Sequence, residues 1–138
     1  MIAYLDPSVL LRLVLGEPSR LLEWGRLEAA VASFLVEVEC LRTLDRLRLR
    51  GDLTPLDLAT RRAAVFKVLE SIELVDVSRP ILGRAGEPFP TPLGTLDAIH
   101  LATALAWKTE RESPLVMATH DGALALAAKA SGLEVVGS

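Results

Sequence analysis

Four carboxylates occupy places where a chain of alternating strands and helices could gather them. Asp6 directly follows the apolar run IAYL, and Asp121 follows the run LVMA after Thr119 and His120. Asp97 falls in the first turn of an expected helix, and Glu39 in the first turns of a long one that follows Ser33. Unpaired carboxylates packed together repel, which raises a pKa or calls for a cation. A hard divalent ion with oxygen ligands, Mg²⁺ or Mn²⁺, resolves that repulsion. Acids holding such an ion can also handle phosphates, because the metal inverts the local sign of charge.

Each acid has a local reading as well. Asp97 can favour a helix N-terminus through the macrodipole, and Asp6 and Asp121 can serve as N-caps. Glu39 can pair with Arg42 three residues on, for only ~0.2–0.5 kcal/mol. Residues 35–50 give one further constraint. At about 100° per residue, Val36, Cys40, Leu44 and Leu47 form the apolar face. Glu37 and Glu39 are then ~200° apart and cannot both enter one site. Glu39 shares its stripe with Arg42, Thr43, Arg46 and Arg50, whereas Glu37 lies at the other shoulder, beside Leu41, Leu44 and Arg48. A carboxylate trailed by arginines suits a metal site that continues into a phosphate path; the alternative is a solvated charged face. This geometry selects Glu39 over Glu37.

The elements that must position these groups follow from hydrophobic periodicity and from turn residues. Residues 2–5 form a short strand, and Pro7 suits the first turn of a helix over residues 9–15, which Gly16 and Pro18 stop. Ser19 can cap a second helix, SRLLEWGRLE. Residues 31–33 form a weak strand, and residues 35–50 a long helix ended by Gly51. Thr54, Pro55 and Asp57 make a capping box with Asp in place of Glu. Residues 73–78 read as a strand. Residues 84–93 carry Gly86, Pro88, Pro90 and Pro92 and read as a loop. A helix from residues 94–95 to about 108, a strand at 115–118, a helix from Asp121 to Gly132 and a strand at 133–136 complete the chain. Such alternation predicts an α/β fold with a parallel sheet and helices on both faces. In these sheets ligands sit outside the carboxyl ends of the strands.

Composition narrows the classes. The 138 residues suffice for one domain, and 51% hydrophobic with 24% charged residues argues against disorder. One cysteine excludes an internal disulfide framework and a cysteine-rich zinc site. No run of ~18 uncharged apolar residues is present, so no membrane span is expected. MIAYLDPSV lacks the basic region of a signal peptide, so the cytoplasm is the expected compartment. A net charge of −3 and a pI near 5.4 oppose a broadly basic nucleic-acid-coating surface. The mean hydropathy, +0.37, is high for a small monomer and suggests a face covered by another chain. Trp24, Trp107, Cys40 and Met117 read as packing residues, and His100 as a packed or hydrogen-bonded support.

The motifs resemble a known family. MIAYLDPSVLLRL resembles the opening strand and helix of a PIN domain. SFLVEVECLRTL is similar to the second motif, whose Ser, Glu and Arg spacing is kept by Ser33, Glu39 and Arg42. LGTLDAIHLATAL closely resembles the third motif. MATHDGALALAAKASGLEVV resembles the fourth, a T-x-D followed by a helix and a closing strand. The likeness runs in order through essentially the whole chain. In size and motif style it is most similar to the VapC ribonuclease toxins of toxin–antitoxin pairs.

The resemblance implies a single PIN domain over residues 1–138, a three-layer α/β fold with a central, mostly parallel, twisted sheet. It implies a Mg²⁺- or Mn²⁺-dependent endoribonuclease that leaves a 5′-phosphate and a 3′-hydroxyl. Carried over position by position, the catalytic set is Asp6, Glu39, Asp97 and Asp121, with Asp6, Asp97 and Asp121 on the metal. Ser8 and Thr119 match small hydroxyl residues that line or support the site. Arg42 and Arg46 are the candidates for guiding the RNA backbone, with Arg12 behind them. The family also implies a homodimer and a cognate antitoxin that covers apolar grooves. Pro7 departs from the pattern, where many relatives carry Thr, and Glu37 is an additional acid. Three rivals remain: a non-catalytic PIN-fold binding module, a phospho-acceptor domain and a dehalogenase-like phosphatase. The last two want a second carboxylate beside the first strand, where Pro7 and Ser8 stand.

Overall fold

A computed structural model describes residues 1–19 and 21–138. Five strands form one sheet: β1 (Ile2–Leu5), β2 (Ala29–Ser33), β3 (Glu73–Val75), β4 (Val116–Ala118) and β5 (Glu134–Val136). Their order is β3-β2-β1-β4-β5, and all four pairings are parallel. The helices are α1 (Pro7–Val14), α2 (Leu35–Leu49), α3 (Pro55–Leu69), α4 (Arg79–Ala85), α5 (Thr95–Arg111) and α6 (Gly122–Ala130).

Alternation along β1 divides the core in two. Ala3 and Leu5 face a cluster built with Val9, Leu10, Val36, Cys40, Leu44 and Val65, from α1, α2 and α3. Tyr4 faces the other way, into Leu101, Ala104, Trp107, Met117, Leu124 and Ala128, from α5, β4 and α6. The sheet therefore carries helices on both faces, as the alternating pattern requires. Successive strands run outward from β1 to β2 and β3, and the chain then returns past β1 to β4 and β5. Strand order thus reverses between β1 and β4, and the crevice at such a reversal is where ligands of open α/β sheets bind.

Caps fix where the helices start. Asp6 caps α1 with Pro7 at its first position, Thr54 and Asp57 close the reciprocal box on α3, and Asp121 caps α6. Thr54 Oγ1 accepts from Asp57 N at 3.1 Å, and Asp57 Oδ2 accepts from Thr54 N at 3.2 Å. Helix α5 runs past residue 108 to Arg111 and ends at Glu112 in the left-handed region, φ 49°.

Three expectations need correction. Residue 20 lies outside the described residues; among the described residues of 19–28 there is no α-helix, and a 3-10 helix at Leu22–Arg26 stands there without a side-chain cap. Leu21 is buried, but no residue of Leu22–Arg26 is fully buried and Leu22 is 91% exposed, so the segment has no apolar face to hold a longer helix on the core. The strand expected over 73–78 ends at Val75, opposite Ser33, because Ser78 is used as the N-cap of α4. The loop expected over 84–93 starts two residues later, because Arg84 and Ala85 belong to α4, whose seven residues hold a Pro and a Gly and bury only Ile81, leaving no apolar periodicity to read.

Candidate functional site

The carboxyl ends of β1 and β4 lie side by side, and hydrogen bonds weld the segments that follow them. Asp6 N donates to Ala118 O at 3.0 Å. The Asp6 carboxylate is buried, and its Oδ2 accepts from Ser8 Oγ at 2.7 Å, Thr119 Oγ1 at 3.0 Å and Ser8 N at 3.4 Å. The two hydroxyls are occupied on both sides: Ser8 Oγ accepts from His120 N and Thr119 Oγ1 from Asp121 N, each at 3.0 Å. A small hydroxyl residue is needed at each place because each must donate and accept at once. Pro7 takes nothing from this network. It sits at the first helical position, where an N–H would lack an intrahelical partner anyway.

Asp121 stands at the other side of this junction. Its Oδ1 accepts from Leu124 N at 2.9 Å and caps α6. Glu39 approaches from α2, and its Oε1 lies 2.6 Å from His100 Nε2 on α5. Asp97 precedes His100 by one helical turn. Burial lifts the Asp97 carboxyl to about 6, and the negative charges of Asp121, Asp6 and Glu39 push it the same way against the opposing His100. The charges of Asp121, Asp6 and Glu39 thus all bear on Asp97.

The structure brings together Asp6, Ser8, Thr119 and Asp121 by hydrogen bonds, and couples Asp97 and Glu39 to them through charge. Three of the carboxylates share one pattern. The protein engages Asp6 Oδ2, Asp121 Oδ1 and Glu39 Oε1, and leaves the second oxygen of each without a hydrogen bond among the described residues. Among the described residues, no three His, Cys, Asp or Glu side chains stand close enough to make a ready-made metal cage. The donor chemistry nevertheless fits a hard cation: every candidate donor is an oxygen, and Asp97 is pushed up by burial first and then by its acidic neighbours.

Arg42 and Arg46 line a groove of about 330 Å³ together with Pro7, Leu35, Val38, Glu39, Thr43 and Leu96. Glu37 is absent from that lining. Arg42 pairs with Asp45 at 3.2 Å, and Arg46 donates to Thr43 Oγ1 at 3.0 Å. Arg12 lines a different groove, with His120 and Gly137, and donates to Ser19 O. Cys40, Met117 and Trp107 are buried, and Trp24 packs against the first core cluster, as packing residues do. Sequence reading missed Tyr4. It is the only tyrosine of the chain and lies within an apolar strand, and a buried phenol needs a partner; that was the available signal. Its hydroxyl lies 2.7 Å from His100 Nδ1.

Residues 3–135 match the family described as the PIN domain. The chain belongs to the PIN-domain family. This PIN domain is also homologous to VapC ribonucleases. It is 33% identical over 114 residues to ribonuclease VapC47 of Mycobacterium tuberculosis (strain CDC 1551 / Oshkosh), covering 78% of this chain and 77% of that protein. It is 32% identical to ribonuclease VapC46 of M. tuberculosis (strain ATCC 25618 / H37Rv), covering 96% and 95%. The same fold occurs in a toxin–antitoxin complex from Klebsiella pneumoniae, with TM-score 0.68, 17% identity and coverage of 97% and 95%. It occurs again in VapBC2 of Rickettsia felis bound to a promoter DNA fragment, with TM-score 0.67, 15% identity and coverage of 98% and 97%. No helix among the described residues of this PIN domain is long and apolar enough to cross a membrane.

Proposed function

We propose that this PIN domain, working as a single unit over residues 1–138, is a divalent-metal-dependent endoribonuclease. In this reading it is the toxin of a VapBC-type pair and acts in the cytoplasm. The observation that carries the reading is the coupling of Asp6, Glu39, Asp97 and Asp121 at the strand-order reversal of a chain homologous to VapC ribonucleases. Asp6, Asp97 and Asp121 would hold Mg²⁺ or Mn²⁺, which supplies Lewis acidity and positive charge toward a phosphate. Ser8 and Thr119 hold Asp6 Oδ2 in place and so fix the direction of Oδ1. Asp121 is held the same way by its cap bond. Glu39 completes the set as a further ligand or as the group that orients the attacking water. In-line attack of that water on phosphorus breaks the bond to the 3′-oxygen and leaves a 5′-phosphate and a 3′-hydroxyl.

Arg42 and Arg46 flank Glu39 in one groove, so a phosphate backbone entering the acidic basin would pass their guanidinium groups. Val38 and Leu96, each half exposed on that groove, offer apolar area to a partner chain. A cognate antitoxin covering this rim and a homodimer are the assemblies that fit the high mean hydropathy. Sedimentation at micromolar concentration should report a dimer; a lone monomer contradicts that part.

Mapping cut sites in a mixed RNA pool tests the activity. Wild-type protein with Mn²⁺ should give discrete cuts bearing 5′-phosphates, and Asp97→Asn should give none. Identical cutting by both proteins would overturn the assignment. Absent cutting together with absent Mn²⁺ binding in calorimetry would support a non-catalytic binding module instead.

A further inference from the structure

We propose that Tyr4 and His100 are positioning residues: a buried Ser33–Tyr4–His100 hydrogen-bond relay fixes Glu39 by one oxygen, so that the other stays available to the reaction. The proposal rests on the ribonuclease reading and deepens it by assigning work to two residues outside the acidic set. Both rings are fully buried. Ser33 N, at the carboxyl end of β2, donates to the Tyr4 hydroxyl at 3.2 Å. A phenol carries one proton and can accept at its oxygen while donating. In the proposed relay its single proton goes to His100 Nδ1, 2.7 Å away. A neutral imidazole whose Nδ1 accepts carries its own proton on Nε2. That proton is donated to Glu39 Oε1 at 2.6 Å. The rings meet edge-on, at 66° and 5.9 Å between centroids.

A buried histidine satisfied for stability alone could end on any backbone carbonyl. This one ends on a carboxylate of the acidic set, and it joins three elements to do so: β1, α5 and α2. Glu39 has no other side-chain hydrogen bond among the described residues. Without the relay its flexible side chain is free to follow the arginines beside it, Arg42 and Arg46, away from Asp97 and Asp6. A misplacement of about 1 Å in a catalytic group can lower a rate by about 100-fold.

The test uses the full chain and a single-stranded RNA oligonucleotide with Mg²⁺. His100→Leu should lower kcat by about 100-fold and Tyr4→Phe by about 10-fold, with KM within about two-fold of wild type. His100→Gln should recover at least about 10-fold of the loss, because its amide N–H can reach Glu39 Oε1 in place of Nε2. Thermal melting should show that all three fold. An unchanged kcat in His100→Leu, or no recovery in His100→Gln, overturns the proposal. A readout independent of activity covers variants that do not fold. Long-range ¹H–¹⁵N spectra of labelled wild-type protein in EDTA should show His100 protonated at Nε2 and bare at Nδ1. The opposite tautomer overturns the relay. If wild-type protein cleaves no RNA while this tautomer is present, the ribonuclease reading fails and the relay stands only as a brace for Glu39. The two failures are therefore distinguishable.

Discussion

Replacing Asp97 by Asn should stabilise the metal-free protein, and by an amount that depends on pH. The Asp97 carboxyl stands at about 6 instead of 3.8, through burial first and then through Asp121, Asp6 and Glu39. At ~1.4 kcal/mol for each tenfold change in acidity, the ceiling on the stored penalty is about 3 kcal/mol. The side chain is partly exposed and its field is screened by solvent, which lowers the expected effect to about 1–2 kcal/mol. An acid with a folded pKa above its unfolded value binds protons more tightly when folded. Stability therefore falls as pH rises from about 4 to about 6, and stays lowered above that. Asn carries no charge and escapes the loss. In EDTA at pH 8, Asp97→Asn should melt about 3–6 °C above wild type, at roughly 3 °C per kcal/mol for this chain length. The difference should vanish near pH 3.5. Added Mn²⁺ should reverse the order, because ligation stabilises wild type by about 2.7 kcal/mol at a hundredfold excess over Kd and the variant by less. A variant that melts at or below wild type in EDTA at pH 8, or a gap that persists at pH 3.5, refutes the repulsion account.

Further outcomes concern the supports, the groove and the C-terminus. Thr119→Val removes a hydroxyl that donates to Asp6 Oδ2 and accepts from Asp121 N, and should lower stability by about 1–3 kcal/mol in urea unfolding; a loss under about 0.5 kcal/mol contradicts its place in the network. Arg46→Glu should weaken RNA binding and lower the slope of log K against log salt by about one, measured by filter binding; an unchanged slope removes Arg46 from the phosphate path. Gly137 has φ +90°, and a Cβ there would sit 2.8 Å from Thr119 O and 3.0 Å from Leu21 Cδ1. Gly137→Ala should therefore destabilise the protein by more than about 1 kcal/mol and loosen the adjoining bond from Thr119 N to Val136 O, read as faster exchange at Thr119 N. Unchanged exchange argues against that strain.

Much of this is legible in the amino-acid sequence. Strand and helix order follows from apolar runs punctuated by Gly, Pro and capping residues, because the same local chemistry ends elements in the structure: Asp6, Thr54 and Asp121 all cap helices. Helical phase alone separated Glu39 from Glu37, and the groove that Glu39 shares with Arg42 and Arg46 follows the same stripe. What escaped was decided by tertiary contact. The 3-10 turn at Leu22–Arg26 depends on Leu21 and Trp24 meeting the first core cluster, which no window of the sequence reveals. Residues 76–78 keep the alternation of a strand, yet Ser78 is worth more as a cap than as an edge residue. The Tyr4–His100–Glu39 chain joins residues as far as 96 positions apart; only folding shows that a lone tyrosine and a lone helix histidine are partners.

The central claim is that acids remote in sequence serve one divalent ion. Paramagnetic broadening tests it most directly: Mn²⁺ is added in substoichiometric steps to ¹⁵N-labelled wild-type protein while amide signals are followed. The amides of Ser8, Glu39, Asp97 and Asp121 should broaden together and ahead of the rest, and the effect should be lost in Asp97→Asn. Broadening that begins at surface acids such as Asp45 or Glu112, with the four sites untouched, would contradict the account.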